Sequence, residues 1–163
     1  MDVRLINPFL EAVTNVYTTM LQTTPRRSGL KVADHGAAPE SLVALIGMDG
    51  PAQGVVALHL PRETALSTIN HWLDMSLSEI DETVSDGIAE LVNMIAGQAK
   101  AKLSESLGTA VALGLPSVIH GSNFHVKYPG KATWLEMPFD SDLGGFSLRV
   151  TVVMNEQPAE AVK

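Results

Sequence analysis

The run Ser85-Asp86-Gly87-Ile88-Ala89-Glu90-Leu91-Val92-Asn93-Met94-Ile95-Ala96-Gly97-Gln98-Ala99-Lys100 dictates a helix. Apolar residues recur at Ile88, Leu91, Val92, Ile95, Ala99 and Leu103, the i, i+3, i+4, i+7 spacing of a helix with one buried stripe. The pattern predicts a helix over residues 81–107, ended by Gly108 just past its C-terminus. At about 100° of turn per residue, Asp86, Glu90, Asn93 and Gly97 share a narrow sector roughly opposite the centre of that stripe. They face solvent or a partner. Asn competes with the helix backbone for hydrogen bonds, and Gly costs about 1 kcal/mol relative to Ala in a helix interior. A merely solvated face would more cheaply carry Lys, Gln or Ala. A helix that breaks local rules on its exposed side points to function there. Gly97 removes a side chain one turn beyond Asn93, so another protein's surface could approach the backbone.

The chain has 163 residues, enough for one domain spanning 1–163 without disulfides or a structural metal. Cysteine is absent, which excludes a thiol nucleophile and thiolate zinc sites and suits a reducing cytoplasm. The start Met1-Asp2-Val3-Arg4 lacks a signal-peptide pattern and no stretch has the length of a membrane span. A soluble cytoplasmic protein is expected, with no membrane role. Eighteen acidic against eleven basic residues, a net charge of −7, argue against nucleic-acid binding and suit a basic protein partner. Glu79, Asp81, Glu82 and Asp86 cluster where the dipole of the central helix favours acids.

Along the chain, Asn7 followed by Pro8 reads as a helix cap with proline at the first position. Leu10, Val13, Tyr17, Met20 and Leu21 then give an apolar stripe for a first helix over about 7–23. Thr24–Gly29 reads as a loop and Leu30–Ala33 as a short strand. Leu42–Met48 and Gly54–Leu60 form a hairpin around Met48-Asp49-Gly50-Pro51. A second helix covers 61–73, with Ala65, Leu66, Ile69, Trp72 and Leu73 on its core face. Ala110–Leu115 reads as a buried strand stopped by Pro116. Asn123–Tyr128 and Ala132–Phe139 are expected to pair as a second hairpin about Tyr128–Lys131. Phe146–Met154 alternates as a strand, and 154–163 read as a loose tail. The order helix, strand, hairpin occurs twice, which suggests a degenerate internal duplication. The class is α+β, with helices covering an antiparallel or mixed sheet.

Other constellations fall away. His35, His59, His71, His120 and His125 lack metal-ligand spacing, and no serine elbow is present. Gly47–Gly54 lacks the Gly-Lys-Ser/Thr ending of a phosphate loop. Lys100, Lys127, Lys131 and Arg149 are too scattered to define an anion site. On the first helix, Glu11 and Asn15 are one residue too far apart to repeat the Glu90 and Asn93 spacing. No metal site is expected, and the stripe Asp86, Glu90, Asn93 remains.

These residues resemble the signature of the CheC/CheX/FliY family of response-regulator phosphatases. In it, Asp or Ser is followed after three residues by Glu, after two more by Asn and after twenty-two more by Pro. Asp86, Glu90, Asn93 and Pro116 stand at those positions. Ile6-Asn7-Pro8-Phe9-Leu10-Glu11 and Asn93-Met94-Ile95-Ala96-Gly97 look most like the CheX branch, which carries one active motif where CheC carries two. The likeness spans nearly the whole chain. It implies a CheC-like domain whose first and central helices pack side by side, and homodimers joined through sheet edges. The implied activity is hydrolysis of the aspartyl phosphate on a CheY-like receiver domain. The chain would need no cofactor of its own, Mg²⁺ being expected in the receiver. Phosphoryl transfer needs an in-line water, and the neutral Asn93 amide, with one acceptor and two donors, suits holding it. Glu90 suits an ion pair with the receiver's active-site lysine. Asp86 and Gly97 would contact the partner, and Pro116 would shape the fold near the site. The alternative is a non-catalytic phospho-receiver adaptor or a flagellar-switch-like structural module. Such a module has little reason to keep both Glu90 and a mid-helix Asn93.

Overall fold

The computed structural model describes residues 3–33, 39–127 and 133–155. Helix α1 (Asn7–Met20) follows a 3-10 turn, Val3–Leu5. Asn7 lies inside the helix rather than capping it. Ile6 is the cap, and its carbonyl accepts from the Phe9 and Leu10 N–H groups. The helix ends before residue 23 because Gln22 takes a left-handed φ of 54°. There the Leu21 and Thr23 N–H groups turn back to the Tyr17 carbonyl, which closes the helix and sends Leu21 into the core.

Helices α2 (Arg62–Leu73) and α3 (Glu82–Leu107) lie within a residue of their expected bounds. The Asp81 carboxylate accepts from the Val84 N–H at 3.0 Å, the N-cap bond that starts α3. Gly108, at φ 66°, ends it. Leu73, expected on the core face of α2, is 44% exposed, because Asp74 turns left-handed immediately after it.

The strands are β1 (Arg26–Arg27), β2 (Lys31–Val32), β3 (Ser41–Asp49), β4 (Ala52–Pro61), β5 (Ala112–Leu113), β6 (Ser117–Gly121), β7 (Leu135–Asp140) and β8 (Phe146–Met154). They form one sheet in the order β1-β7-β8-β4-β3-β5, with β2 also on β7 and β6 also on β3. Every pairing is antiparallel, so the expected α+β layout holds. The β3–β4 hairpin turns where read, with the Asp49 carboxylate accepting from the Gly50 N–H at 2.8 Å.

The order helix, strand, hairpin does recur, but its second hairpin lies later than the stretch ending at Phe139 that the sequence suggests. One half is α1, β1/β2 and the hairpin β3–β4; the other is α3, β5/β6 and the hairpin β7–β8. The hairpins meet at the centre through β4 and β8, while the short strands are exchanged: β1 and β2 pair with β7, and β5 and β6 with β3. Alternate residues of the long strands, among them Leu42, Ala44, Ile46, Val56, Leu58, Leu148 and Val150, join the helices in the main core. Gly87 lets α2 lie against α3, since a Cβ there would meet Ile69 Cδ1 at 2.5 Å.

The expected second hairpin does not form. β7 pairs with β8, β1 and β2, and residues 123–127 are not a strand. Phe124 and Val126 instead join Ala33, Val43, Ala57 and Trp134 in a small cluster on the sheet face away from the helices. Their alternation therefore reflects packing over the sheet, not pairing within it. The turn expected at Tyr128–Lys131 lies outside the described residues.

Pro116 is not a strand terminator. Met48 pairs with Leu113 and Leu45 with Ser117, so Gly114, Leu115 and Pro116 stand opposite Ile46 and Gly47. This is a bulge within one edge strand, where proline's missing N–H breaks no ladder bond. Leu115, 90% exposed, is pushed out by it. β1 likewise occupies a stretch read as loop, held by pairing to β7. At the other end, Met154 is in β8 and Asn155 bonds to the Pro51 and Gly50 carbonyls, so neither belongs to a loose tail; residues 156–163 lie outside the described ones.

Tyr17 stacks on Phe146 at 4.5 Å, and Phe146 on Phe139 at 5.1 Å. The Tyr17 hydroxyl is buried with no hydrogen-bond partner among the described residues, and burial pushes its pKa far above the usual phenol range. Tyr17→Phe keeps the stack and removes the orphan hydroxyl. It is expected to stabilise the fold by about 1 kcal/mol, read as a higher urea midpoint; a lower midpoint would reveal a partner for the hydroxyl.

Candidate functional site

All six residues of the α3 stripe, Ile88, Leu91, Val92, Ile95, Ala99 and Leu103, are buried. That fixes the rotation of the helix, and Asp86, Glu90 and Asn93 are exposed on its other side. Glu90 and Asn93 are separated by about 4.5 Å of rise and about 60° of turn, so both can reach into one cleft. Neither they nor Asp86 forms a hydrogen bond or ion pair with another described residue. Gly97, one turn on, has nothing within 4 Å of where a Cβ would stand. Its missing side chain therefore serves no contact inside this molecule, unlike that of Gly87. The same sector continues to Lys100, which the sequence alone left among scattered cations.

Helix α1 flanks α3 on one side. Asn15 donates its amide to Gln98 Oε1 at 2.7 Å, and Lys102 pairs with Glu11. Three residues after Glu11, where α3 has Asn93, α1 has Thr14, whose hydroxyl donates to the Leu10 carbonyl at 3.2 Å. The outward acid and amide at this spacing thus occur on α3 and not on α1. Pro116 belongs to another element, the edge-strand bulge, whose flanking strands pack beside α3.

Several other titratable groups are tied up elsewhere. His59 lies half-buried on the outer sheet face, where burial and then the charge of Arg149 push its pKa down to about 4. On the same face Glu136 is almost fully buried. Burial alone would raise its pKa, but Arg149, Ser147 and Lys31 together hold it below the usual carboxylate range. His71 Nε2 lies 2.7 Å from the Leu21 carbonyl, and His120 Nε2 2.7 Å from Glu40 Oε1. Among the described residues no group of three or more His, Asp or Glu is placed to hold a metal ion, and no helix is long and apolar enough to cross a membrane.

An acid and an amide on a convex helix cannot enclose a small substrate or exclude water from it. They can be carried into a cleft on another protein.

Known proteins share this architecture. The chain is similar to a CheC-like superfamily protein from Shewanella sp. PV-4, with a TM-score of 0.84 and 30% identity over 94% of this chain and 99% of that one. It is 31% identical to the CheY-P phosphatase CheX of Thermotoga maritima over 78% of this chain and 82% of the relative. The fold also matches CheX in the CheX-CheY-BeF3-Mg²⁺ complex of Borrelia burgdorferi, with a TM-score of 0.78 and 22% identity over 91% of this chain and 97% of that one. The family model for the chemotaxis phosphatase CheX matches residues 42–140. The chain belongs to the CheX family of chemotaxis phosphatases.

With open space at its Cβ position, Gly97→Ala is expected to stabilise the isolated protein by about 0.5–1 kcal/mol through helix propensity, seen as a raised denaturation midpoint. A loss of stability would mean that Gly97 is needed for the fold itself.

Proposed function

We propose that this protein hydrolyses the aspartyl phosphate of a phosphorylated receiver domain by docking α3 on it, with Asn93 positioning the attacking water. The observation that carries this reading is the exposed, uncommitted pair Glu90 and Asn93 at the family's signature spacing on a helix held by its opposite face. Two relatives support it: the Thermotoga relative is named a CheY-P phosphatase, and the Borrelia structure holds a CheX with CheY, BeF3 and Mg²⁺. In such a complex beryllofluoride stands in for the phosphoryl group.

The chemistry divides between the two proteins. The receiver supplies the phosphorylated aspartate, and its own Mg²⁺ and lysine offset charge on the phosphoryl oxygens. Asn93 supplies a fixed water: its amide accepts from and donates to water without placing a charge beside an anion. Glu90 is anionic and would repel the phosphoryl group, so its place is an ion pair with the receiver's lysine that sets the register of α3. Asp86 and Gly97 lie at the rim, where an acid and a bare backbone admit a close partner. A chain with this task works in the cytoplasm, where phosphorylated receivers are found.

The protein acts as a homodimer joined through sheet edges. β6 is paired only with β3 among the described strands, and its outward Ile119 is 38% exposed. A monomeric mass in sedimentation equilibrium would remove this part of the reading.

Asn93→Ala is expected to slow dephosphorylation by about 100-fold or more while binding to a beryllofluoride-treated receiver stays near the unmodified value. Glu90→Lys should instead weaken that binding. Full activity in Asn93→Ala would refute the water-positioning role. Binding by the unmodified protein without any acceleration of phosphate release would make it an adaptor.

A further inference from the structure

We propose that Lys100 is a second electrostatic anchor on the docking face, pairing with an acidic group of the receiver and so fixing the direction in which α3 lies in the cleft. The inference rests on the function proposed above and extends it to a contact that the family signature does not include.

Asp86, Asn93 and Lys100 follow one another at seven-residue intervals. Each step is about 10.5 Å of rise and about 20° of drift, so the three form one nearly straight row, with Glu90 and Gly97 beside it. The row reads acid, acid, amide, bare backbone, cation. Lys100 is partly exposed and forms no ion pair or hydrogen bond with another described residue. By contrast Lys31, Arg62, Lys102 and Arg149 are each held by a carboxylate. Nothing in this molecule stands over Gly97, so a partner surface touching Asn93 can continue along the helix to the Lys100 ammonium.

The physical need for such a group comes from symmetry. A helix can enter a cleft in two opposite directions, and Asn93 meets the phosphorus in only one. Glu90 and Asp86 lie on one side of Asn93, about 4.5 and about 10.5 Å of rise away, and leave the other side of the face unmarked unless it carries a charge of opposite sign. A positive charge about 10.5 Å beyond Asn93 on the other side gives the face opposite signs at its two ends. Reversed docking then sets like charges against each other, which is costly. The partner surface must therefore be basic near Glu90 and acidic roughly three helical turns further along.

Lys100 acts as a positioning residue, so the test separates binding from chemistry. Dephosphorylation of the phosphorylated receiver is followed at increasing salt for the unmodified protein, Lys100→Glu, Lys100→Gln and Lys100→Arg, with Asn93→Ala alongside. Lys100→Glu is expected to raise KM about tenfold and to flatten its salt dependence, with kcat within about twofold. Lys100→Gln should fall between, and Lys100→Arg should restore KM. Unchanged KM and salt dependence in Lys100→Glu would overturn the inference, as would a loss of kcat with KM intact. If the unmodified protein binds the receiver without accelerating phosphate release, the proposed function itself fails; if Asn93→Ala is fully active, the water-positioning role fails; if Asn93→Ala is inactive while Lys100→Glu binds normally, only the role of Lys100 fails.

Discussion

The structure depends on one constraint: the apolar stripe of α3 can be buried in only one rotation of the helix. Each fully buried aliphatic side chain contributes about 1.5–3 kcal/mol, and Ile88, Leu91, Val92, Ile95 and Leu103 all lie in the core. A turn that carried Asn93 inward would lose part of this and bury an amide without a partner, at a further cost of about 1–3 kcal/mol. The two penalties add. Core packing, with no help from bonds to the polar side chains themselves, is what keeps Glu90 and Asn93 outside and on one face.

The polar ties between the helices are minor beside it. Lys102 with Glu11 and Asn15 with Gln98 are exposed pairs, of the kind worth about 0–1 kcal/mol. They align α1 with α3 after packing has placed both. The sheet beneath is firm because its two halves share strands, and Gly87 brings α2 close enough to buttress the N-terminal half of α3.

What the sequence reveals follows from where periodicity is unopposed. α3, α2, the β3–β4 hairpin and β8 are long and regular, and their patterns come from burial on one side, so they are legible. Glu90 and Asn93 could be placed on the exposed face for the same reason. The short strands are legible only in part: β2 and β5 fall within Leu30–Ala33 and Ala110–Leu115, stretches that read as strands, while β1 and β6 do not read so. β1 and β6 are held by partners distant in sequence, which no local pattern encodes. Phe124 and Val126 alternate like a strand because they cover the outer sheet face, and Pro116 resembles a stop because a bulge tolerates it. Lys100 does not stand out in the sequence among scattered cations; its place in one row with Asp86 and Asn93 on the exposed face of α3 becomes clear only once the rotation of the helix is fixed.

The exchange of short strands also sets the order of assembly. Arg27 pairs with Phe139 and Lys31 with Glu136, so more than a hundred residues must be synthesised before the first strands find their place. Closing loops of that length is entropically costly and slows folding of antiparallel sheets. A nascent chain leaving the ribosome would hold the β3–β4 hairpin with both edges open until β6 arrives on one side and β8 on the other. Neither half can mature first, and a truncation anywhere within the second half leaves an unpaired edge in the first.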